Sequence, residues 1–342
     1  MRNLILAVIA LAVAVAMYAI FFDNDDSVEV AEGFKPAVIY DMGGKFDKSF
    51  NEGVYNGVKK FTEETGIEVM EFEVTNEAQR QQAMERMVDR GASIVLGVGF
   101  AQADAIAAVS AANPDVDFAI IDVNWLEGAN LRQYSFKEHE GSYLVGMAAA
   151  MKSESGKVGF VGGMDIPLIR AFACGYVQGA KAADASVEVF QNMTGTTPAA
   201  WGDPAKGAEL TQGQIDRGAD VVYQAAGGTG IGVINAAADA GKFSIGVDSN
   251  QNYIKPGSVL TSMLKRVDVA AYNTFMDAKN GAFTAEKISL GLAEDGVGWA
   301  LDENNEALIT DEMKAAIEAA SAKIISGEIS VHDYRADNTC PV

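Results

Sequence analysis

The sequence contains few of the residues that hold metals or bind nucleic acid. Only two of its 342 residues are histidine and two are cysteine, and His139 and His332 lie too far apart in the chain to make a zinc site by themselves. Lysine and arginine number 26 against 47 acidic residues, a net charge of −21. Because phosphate backbones are bound by clustered basic side chains, this balance excludes DNA and RNA as partners. We expect neither a metal nor a cofactor.

Proline is also scarce, at 7 residues, whereas glycine is frequent, at 35. This composition excludes a proline-rich linker protein and is typical of a fold with many tight turns between strands and helices. Apolar residues make up 49% of the chain, which is enough to fill ordinary globular cores. At about 150 residues per domain, the length predicts roughly two domains.

Residues 4–22 carry no charge, follow Arg2 and precede an acidic stretch, which predicts export from the cytoplasm. Ala14-Val15-Ala16 offers a cleavage site and favours a signal peptide in residues 1–22. An uncleaved anchor stays open, because the apolar stretch approaches the ~20 residues that span a bilayer. It contains no cysteine, which excludes attachment through a lipidated cysteine. We expect a periplasmic protein whose residues 23–35 form an acidic, solvated leader.

The only cysteines are Cys174 and Cys340, an even number in a chain predicted to leave the reducing cytosol. If they pair, they fasten the C-terminal tail to the start of the second domain. The alternative is two unrelated thiols, one buried and one in the tail. The sequence leaves both open.

From residue 36 onward, short apolar runs alternate with longer stretches of helical period, the pattern of parallel sheets covered by helices on both faces. Strands are predicted at 36–41, 67–74, 93–98, 117–122, 157–162, 187–191, 219–225, 243–248 and 258–265. Helices are predicted near 49–65, 77–90, 101–113, 138–153, 167–184, 204–217, 230–241 and 311–326.

The two halves of the chain follow the same plan. Ala119-Ile-Ile-Asp122 closes the fourth strand of one half, and Ile245-Gly-Val-Asp248 closes the fourth strand of the other. We therefore predict an α/β fold of two doubly wound lobes with a central cleft. Lobe 1 is assigned residues 36–153 plus about 258–281, and lobe 2 is assigned 154–257 plus part of 282–342.

Ligands of open α/β sheets bind beyond the carboxyl ends of the strands. The residues there are carboxylates, aromatics, glycine turns and one lysine, with no nucleophile beside a general base, so we expect binding rather than enzymatic catalysis. One aspartate at such a junction is often a helix cap, but the matched placement of two favours a ligand role. The candidate ligand-binding residues are Phe46, Asp47, Asn51, Asp122, Trp201, Gly227, Gly228, Asp248 and Lys265.

Four segments resemble the basic membrane protein family. They are residues 41–51 (DMGGKFDKSFN), 138–144 (EHEGSYL), 159–167 (GFVGGMDIP) and 246–248 (GVD), and they occur in the family's order over roughly residues 36–335. The family comprises substrate-binding proteins of ABC importers, including purine nucleoside receptors, and has the type I periplasmic binding protein fold. The resemblance therefore implies the same two-lobed cleft as the residue pattern.

The resemblance also implies roles for individual residues. Phe46 and Trp201 would sandwich a purine base, although the family more usually has phenylalanine at the second position. Asn51 and Asp122 would contact the edge of the base. The ribose hydroxyls would be contacted by Asp248, Lys265 and a glycine of the Gly227-Gly228 turn.

We therefore expect a monomeric periplasmic receptor that closes around a purine nucleoside and delivers it to an ABC permease in the inner membrane. Within binding proteins, the alternative ligand is a sugar or a modified purine. From other classes, the alternatives are a secreted nucleoside-acting enzyme and a membrane-anchored sensor. No basic helix-turn-helix precedes residue 36, which argues against a transcription factor.

Overall fold

Two six-stranded β-sheets form the centres of two lobes in the computed structural model, which describes residues 33–341. The strands of sheet 1 are β1 (Pro36–Tyr40), β2 (Met70–Glu73), β3 (Ile94–Gly97), β4 (Asp117–Ile121), β5 (Leu131–Phe136) and β11 (Lys287–Leu290). Those of sheet 2 are β6 (Lys157–Met164), β7 (Glu188–Gly195), β8 (Val221–Ala225), β9 (Phe243–Asp248), β10 (Val259–Lys265) and β12 (Val297–Trp299). The spatial orders are β11-β5-β4-β3-β1-β2 and β12-β10-β9-β8-β6-β7.

The predicted α/β fold of two parallel-sheet lobes is confirmed. Within residues 33–341, every strand pairing is parallel except that of β10 with β12. The strands β1, β3 and β8 are buried along their whole length, as expected of strands covered by helices on both faces. The helices are α1 (Phe50–Thr65), α2 (Gln79–Asp89), α3 (Ala103–Ala112), α4 (Glu138–Lys152), α5 (Pro167–Ala183), α6 (Pro204–Asp216), α7 (Gly230–Asp239), α8 (Val267–Lys279) and α9 (Asp311–Ile325).

Helix α1 illustrates how the sequence sets these elements. Its buried face repeats at Val54, Val58 and Phe61, spacings of three and four that place the three side chains on one side of a helix. The helix ends at Gly66, whose φ of 70° is the left-handed conformation that closes many helices. The hydrophobic period and the terminating glycine therefore agree.

Three crossovers join the lobes, and they correct two of the predicted lobe assignments. The chain leaves sheet 1 after β5 and enters α4, which packs against α5 and β10 in the second lobe. It returns after β10, since α8 packs against α1 in the first lobe. The third crossover is the segment 291–296 between β11 and β12. Helix α4 and strand β10 thus belong to the second lobe, although both were assigned to the first.

The position of α4 follows from its contact with α5, where the two helices approach unusually closely. A Cβ atom at Gly175 would overlap the backbone of His139, and one at Gly179 would overlap the backbone of Tyr143. Only glycine fits at such an approach. The pairing of these two helices therefore carries α4 away from sheet 1 and onto sheet 2.

Cys174 on α5 and Cys340 are joined by a disulfide, with their Cα atoms 5.6 Å apart. The bond fastens the chain that follows α9 to the second lobe. The predicted signal or anchor in residues 1–22 and most of the predicted leader 23–35 lie outside the described residues. Between residues 33 and 341, no helix combines the length and the apolar character that crossing a bilayer requires.

Candidate ligand-binding site

A cavity lies between the lobes, where the carboxyl ends of strands from both sheets face each other. Seven of the nine predicted site residues line it: Asp47, Asn51, Asp122, Trp201, Gly227, Asp248 and Lys265. The other lining residues are Asp41, Met42, Phe50, Gly99, Phe100, Leu168, Ile169, Phe172, Ala225 and Val247. The structure therefore brings most of the predicted set together, and the apolar and aromatic part of the wall was largely missed.

Asp47 organises the entrance to α1. Its Oδ1 accepts hydrogen bonds from the backbone N–H groups of Ser49 at 2.8 Å and Glu52 at 3.1 Å. Its Oδ2 accepts from the backbone N–H of Asn51 at 3.1 Å and from the side-chain amide of the same residue at 3.3 Å. Both carboxylate oxygens are thus used in holding the first turn of the helix, as in an N-terminal cap.

Asn51 links that helix to the end of β1. Its Oδ1 accepts from the backbone N–H of Asp41 at 3.2 Å, and its Nδ2 lies 3.4 Å from the Asp41 carbonyl oxygen. Asp41 also forms an ion pair with Arg80, whose Nη2 lies 3.2 Å from Asp41 Oδ1. Asp41 was not predicted as a site residue, although it opens the first of the four motifs.

Asp122 and Asp248 each reach across to the opposite lobe. Asp122 Oδ1 lies 2.7 Å from the ammonium nitrogen of Lys265, which ends β10. Asp248 Oδ2 accepts a hydrogen bond of 2.6 Å from the hydroxyl of Ser49, immediately before α1. Both aspartates have left-handed backbones, with φ of 68° and 63°, which is uncommon for residues other than glycine and typical of functional positions.

Lys265 is buried, with only 3% of its surface exposed, and lies between two carboxylates. Besides Asp122, its Nζ lies 3.1 Å from Oε1 of Glu138, the fully buried first residue of α4. Burial opposes the charge on Lys265, but Asp122, Glu138 and Asp248 together raise the pKa of its ammonium group. Sequence reasoning missed Glu138, whose only signal was its place at the head of the EHEGSYL motif.

Burial raises the pKa of Asp47, Asp122 and Asp248, each to about 6. In each case the loss of hydration outweighs the groups that favour the charge: backbone N–H donors at Asp47, and Lys265 at Asp122 and Asp248. Perturbed carboxyl groups of this kind cluster in functional clefts. The cavity wall therefore offers hydrogen-bond acceptors with little water to compete for them.

Phe46, predicted as one wall of the site, does not line this cavity. Its side chain is 61% exposed and lies outside the cavity, with its ring edge-on to Tyr55 at 5.2 Å. The ammonium group of Lys45 lies 5.3 Å from the Phe46 ring centre on the same outer surface. Phe50, the first residue of α1, lines the cavity instead.

Trp201 forms part of the second lobe's wall at the end of the short helical turn Pro198–Trp201. Its indole ring lies directly against the backbone of Gly163 in β6, where a Cβ atom would overlap the ring. A Cβ atom at Gly43, in the first lobe, would lie 3.7 Å from Trp201 Cβ. The indole is therefore positioned at the boundary between the lobes.

The turn after β8 places Gly227, but not Gly228, in the cavity wall. Gly227 has a φ of 56° and lines the cavity. A Cβ atom at Gly228 would be 3.2 Å from the carbonyl oxygen of Trp201 and 3.9 Å from Cβ of Asp47. Gly228 therefore lies close to both lobes but does not line the cavity, contrary to its predicted place in the site.

The cavity combines three kinds of group: flat aromatic surfaces, buried acceptors and one buried ammonium group. Its lining within residues 33–341 includes no serine, cysteine or histidine. Such a wall is suited to holding a flat, polar, uncharged molecule by stacking and hydrogen bonds.

Two parallel-sheet lobes that enclose an aromatic and apolar cavity with a few charged side chains are typical of two-lobed solute-binding proteins. Residues 34–335 match the family model described as ABC transporter substrate-binding protein, PnrA-like, so the chain belongs to this family, the Bmp family. The protein is thus a substrate-binding protein of ABC transporter type, and the resemblance in the four motifs is confirmed.

Individual relatives agree with this assignment. The chain is 34% identical to basic membrane protein A of Borreliella afzelii over 86% of this chain and 91% of that protein. It is 31% identical to the ABC transporter nucleoside-binding protein BmpA of Lactococcus lactis subsp. cremoris over 97% of this chain and 99% of that protein. A solved solute-binding protein of an ABC transporter system from Aeropyrum pernix K1 superposes with a TM-score of 0.81 at 28% identity, over 88% of this chain and 93% of that one.

Proposed function

We propose that this protein captures a purine nucleoside between its lobes and delivers it to an ABC permease of the inner membrane. The observation that carries the proposal is the pair Asp122 and Asp248, two carboxylates that line the cavity from equivalent strand ends of opposite lobes. A nucleoside carries donors at both ends, on the base and on the ribose, and is uncharged. The Lactococcus relative described as nucleoside-binding supports the same ligand class.

In this proposal the aromatic residues hold the base. Trp201 lies in the second lobe, and Phe50 and Phe100 in the first, so a flat ring entering the cavity meets aromatic surfaces from both lobes. Offset stacking on such surfaces contributes about 0.5–1.5 kcal/mol beyond the burial of area. The ligand leaves unchanged, because binding and release are the whole of the protein's task.

The polar residues fix the orientation of the nucleoside. Asp122 and Oδ1 of Asn51 accept hydrogen bonds from the edge of the base, and Asp248, Lys265 and the backbone at Gly227 contact the ribose hydroxyls. Asp47 acts indirectly, since its oxygens are occupied by the first turn of α1. A monomer located in the periplasm, with no nucleic acid as a partner, is consistent with this role and with the net charge of −21.

The test is a thermal-shift titration of residues 23–342, which include the whole compact unit from Lys35 onward. The protein is first unfolded and refolded to remove any bound ligand. A ligand at about 100 times its Kd adds about 2.7 kcal/mol of stability. We expect inosine, guanosine or adenosine to raise Tm, and ribose and the free bases to leave it unchanged.

A matched pair of variants locates the site. Asp248→Asn removes a buried cavity carboxylate, whereas Asp239→Asn removes a surface carboxylate on α7 whose side chain is 78% exposed. We expect the first to weaken nucleoside binding by about 1–3 kcal/mol and the second to have no effect. If no nucleoside raises Tm, the proposed ligand becomes a sugar or a modified purine. Release of free base from inosine on long incubation would instead identify an enzyme.

A further inference from the structure

A residue far along the chain reaches the buried charges behind the cavity. The C-terminal segment, residues 326–341, follows α9 and carries Arg335, whose Nη1 lies 2.9 Å from Oε2 of Glu138. The other oxygen of Glu138, Oε1, lies 3.1 Å from Nζ of Lys265. Glu138 is fully buried. Glu138 therefore bridges two cations: Lys265, which lines the cavity, and Arg335, which does not.

Arg335 is held in place by several contacts of its own. Its Nε and Nη2 donate to the two carboxylate oxygens of Asp333, each at 2.9 Å. Nη2 also donates to the carbonyl oxygen of Phe136 at 2.9 Å. Phe136 ends β5 and Glu138 begins α4, so the guanidinium group spans the first crossover between the lobes.

Two anchors fix the C-terminal segment on either side of Arg335. Gln178 on α5 accepts from the backbone N–H of His332 at 2.8 Å and donates to its carbonyl oxygen at 3.0 Å. The disulfide between Cys340 and Cys174 holds the segment to the same helix. Both anchors are on α5, so they fix the position of Arg335 relative to that helix.

Arg335 supplies a second cation to the acidic cluster around Lys265. Three carboxylates, Asp122, Glu138 and Asp248, surround Lys265, the single cation in the described lining of the cavity. A buried carboxylate without a cation partner is costly, so Glu138 would draw Lys265 toward itself. The charged and titratable groups that face this cluster are Asp47 before α1, Asp122 after β4, Glu138, His139 and Glu140 on α4, Tyr223 on β8, Asp248 after β9, Lys265 on β10, and Asp333 and Arg335 on the C-terminal segment.

We infer that Arg335 is a positioning residue of the ligand site: by binding one oxygen of Glu138, it leaves Lys265 directed at Asp122 and the ligand. The inference rests on the proposed function, which places Asp122 and Lys265 in contact with the ligand. Arg335 does not line this cavity but an adjoining one, which shares Asp122 and Phe100 with it. It acts on binding through the Glu138 carboxylate.

The decisive comparison is between removing one charge and removing the pair. Arg335→Gln leaves Glu138 with Lys265 alone, and we expect inosine or guanosine to bind about tenfold more weakly, the effect of one charge-assisted hydrogen bond. The double variant Arg335→Gln with Glu138→Gln removes the unpaired charge as well, and we expect affinity within about threefold of wild type. Arg335→Lys keeps the positive charge, and we expect its affinity also to stay within about threefold of wild type. Arg170→Gln is the control, because it removes an equally forked arginine, paired with Asp165 on the surface of α5.

A pH profile separates this role from simple support of the tail. The Arg335 and Asp122 charges attract each other, so losing Arg335 raises the pKa of Asp122 further. We expect the pH below which affinity falls to move upward in Arg335→Gln and to return in the double variant. If Arg335 only fastened the segment, Glu138→Gln would restore neither the affinity nor the profile. That result, or an affinity of Arg335→Gln within twofold of wild type at every pH, would overturn the inference.

The design also separates failure of the inference from failure of the proposed function. If wild type binds no nucleoside, the proposed function fails, and the readout becomes the pH dependence of Tm without ligand. Arg335→Gln should then lose more stability than wild type between pH 5 and 7.5, and the double variant should not. If Arg335→Gln does not fold, the double variant decides, since a folded double variant that fails to bind, or to restore the pH dependence, contradicts the inference.

Discussion

Ser49 and Asp248 are hydrogen-bonded across the cleft, with 2.6 Å between the serine hydroxyl and the carboxylate oxygen. The contact is reinforced by Ser249, whose hydroxyl donates to the carbonyl oxygen of Ser49 at 2.9 Å. Nearby, the side-chain amide of Gln251 donates to the carbonyl oxygen of Lys48 at 2.8 Å. These three bonds join the strand-end loop of the second lobe to the start of α1, so the lobes are in a closed arrangement.

This contact predicts that Ser49→Ala favours lobe opening. Removing the hydroxyl leaves the Asp248 carboxylate without its donor, which costs about 1–3 kcal/mol in the closed state and little in the open state, where water replaces it. We expect faster nucleoside release, measured by stopped-flow tryptophan fluorescence. Ser186→Ala, an exposed serine in the turn before β7, is the control. An unchanged release rate in Ser49→Ala would show that the bond does not latch the lobes.

The two phenylalanines of the motif in residues 41–51 give opposite predictions. Phe50 lines the cavity, whereas Phe46 lies on the outer surface against Tyr55. We therefore expect Phe50→Ala to weaken nucleoside binding by about 1–2 kcal/mol through lost stacking and burial. Phe46→Ala should leave Kd within a factor of two. Isothermal titration calorimetry distinguishes them, and the reverse ranking would reinstate Phe46 as the aromatic wall.

Three of the four aspartates that line the cavity predict how stability depends on pH. Burial raises the pKa of Asp47, Asp122 and Asp248 from 3.8 to about 6. Between pH 4 and 6 the folded protein therefore keeps protons that the unfolded chain has released. The free energy of unfolding should fall as pH rises through this window, by about 1–3 kcal/mol for each group.

Urea denaturation of the ligand-free protein at pH 5 and 7.5 checks this. Burial lowers the pKa of His139, so this residue makes stability rise with pH, opposite to the aspartates. The informative comparison is therefore with Asp248→Asn, in which His139 is unchanged. We expect the difference in stability between the two pH values to shrink in that variant. A wild type that gains stability steadily from pH 5 to 7.5 would be evidence against buried, protonated aspartates.

The disulfide gives a prediction about stability in reducing conditions. Cys174 and Cys340 are 166 residues apart, so their bond closes a long loop in the unfolded chain. Bonds of this kind contribute typically about 2–4 kcal/mol. We expect dithiothreitol to lower Tm of the wild type and to leave Tm of the Cys174→Ser, Cys340→Ser variant unchanged. Two thiols titrating in the unreduced, denatured protein would show that the bond does not form.

The regular part of the fold was predictable because its signals are local. Apolar runs bounded by glycine turns identified nine strands correctly, and helical periods identified eight helices. Strand β5 was missed because its sequence, LRQYSF, is polar although every residue in it is buried. Arg132 is paired there with Asp277 at 2.6 Å, and Gln133 bonds the backbone of Leu126. These partners are brought together only by the tertiary structure, so the hydrophobic periodicity of the sequence does not reveal them.

The difference between local signals and tertiary contacts also explains which site residues could be predicted from the sequence. Carboxylates at the ends of apolar strands are visible in the sequence, and the structure places Asp122, Asp248 and Lys265 together in the cavity wall. Glu138 was missed because a charged residue at the start of a helix is ordinarily solvated, and only the folded chain supplies Lys265 and Arg335 to it. The lobe assignments of α4 and β10 were wrong for a related reason: both lobes share one pattern, so periodicity does not reveal where the chain crosses.

The exchange of segments between lobes has a consequence for how the protein is made. Strand β11 adds to the edge of sheet 1 beside β5, although some 150 residues separate them in sequence. A ribosome that has produced everything up to Lys137 has therefore made only part of the first lobe. We therefore expect the fragment that ends at residue 137 not to fold alone, whereas all six strands of sheet 2 lie in the fragment that follows it. The first fragment should acquire its structure only when the second is added.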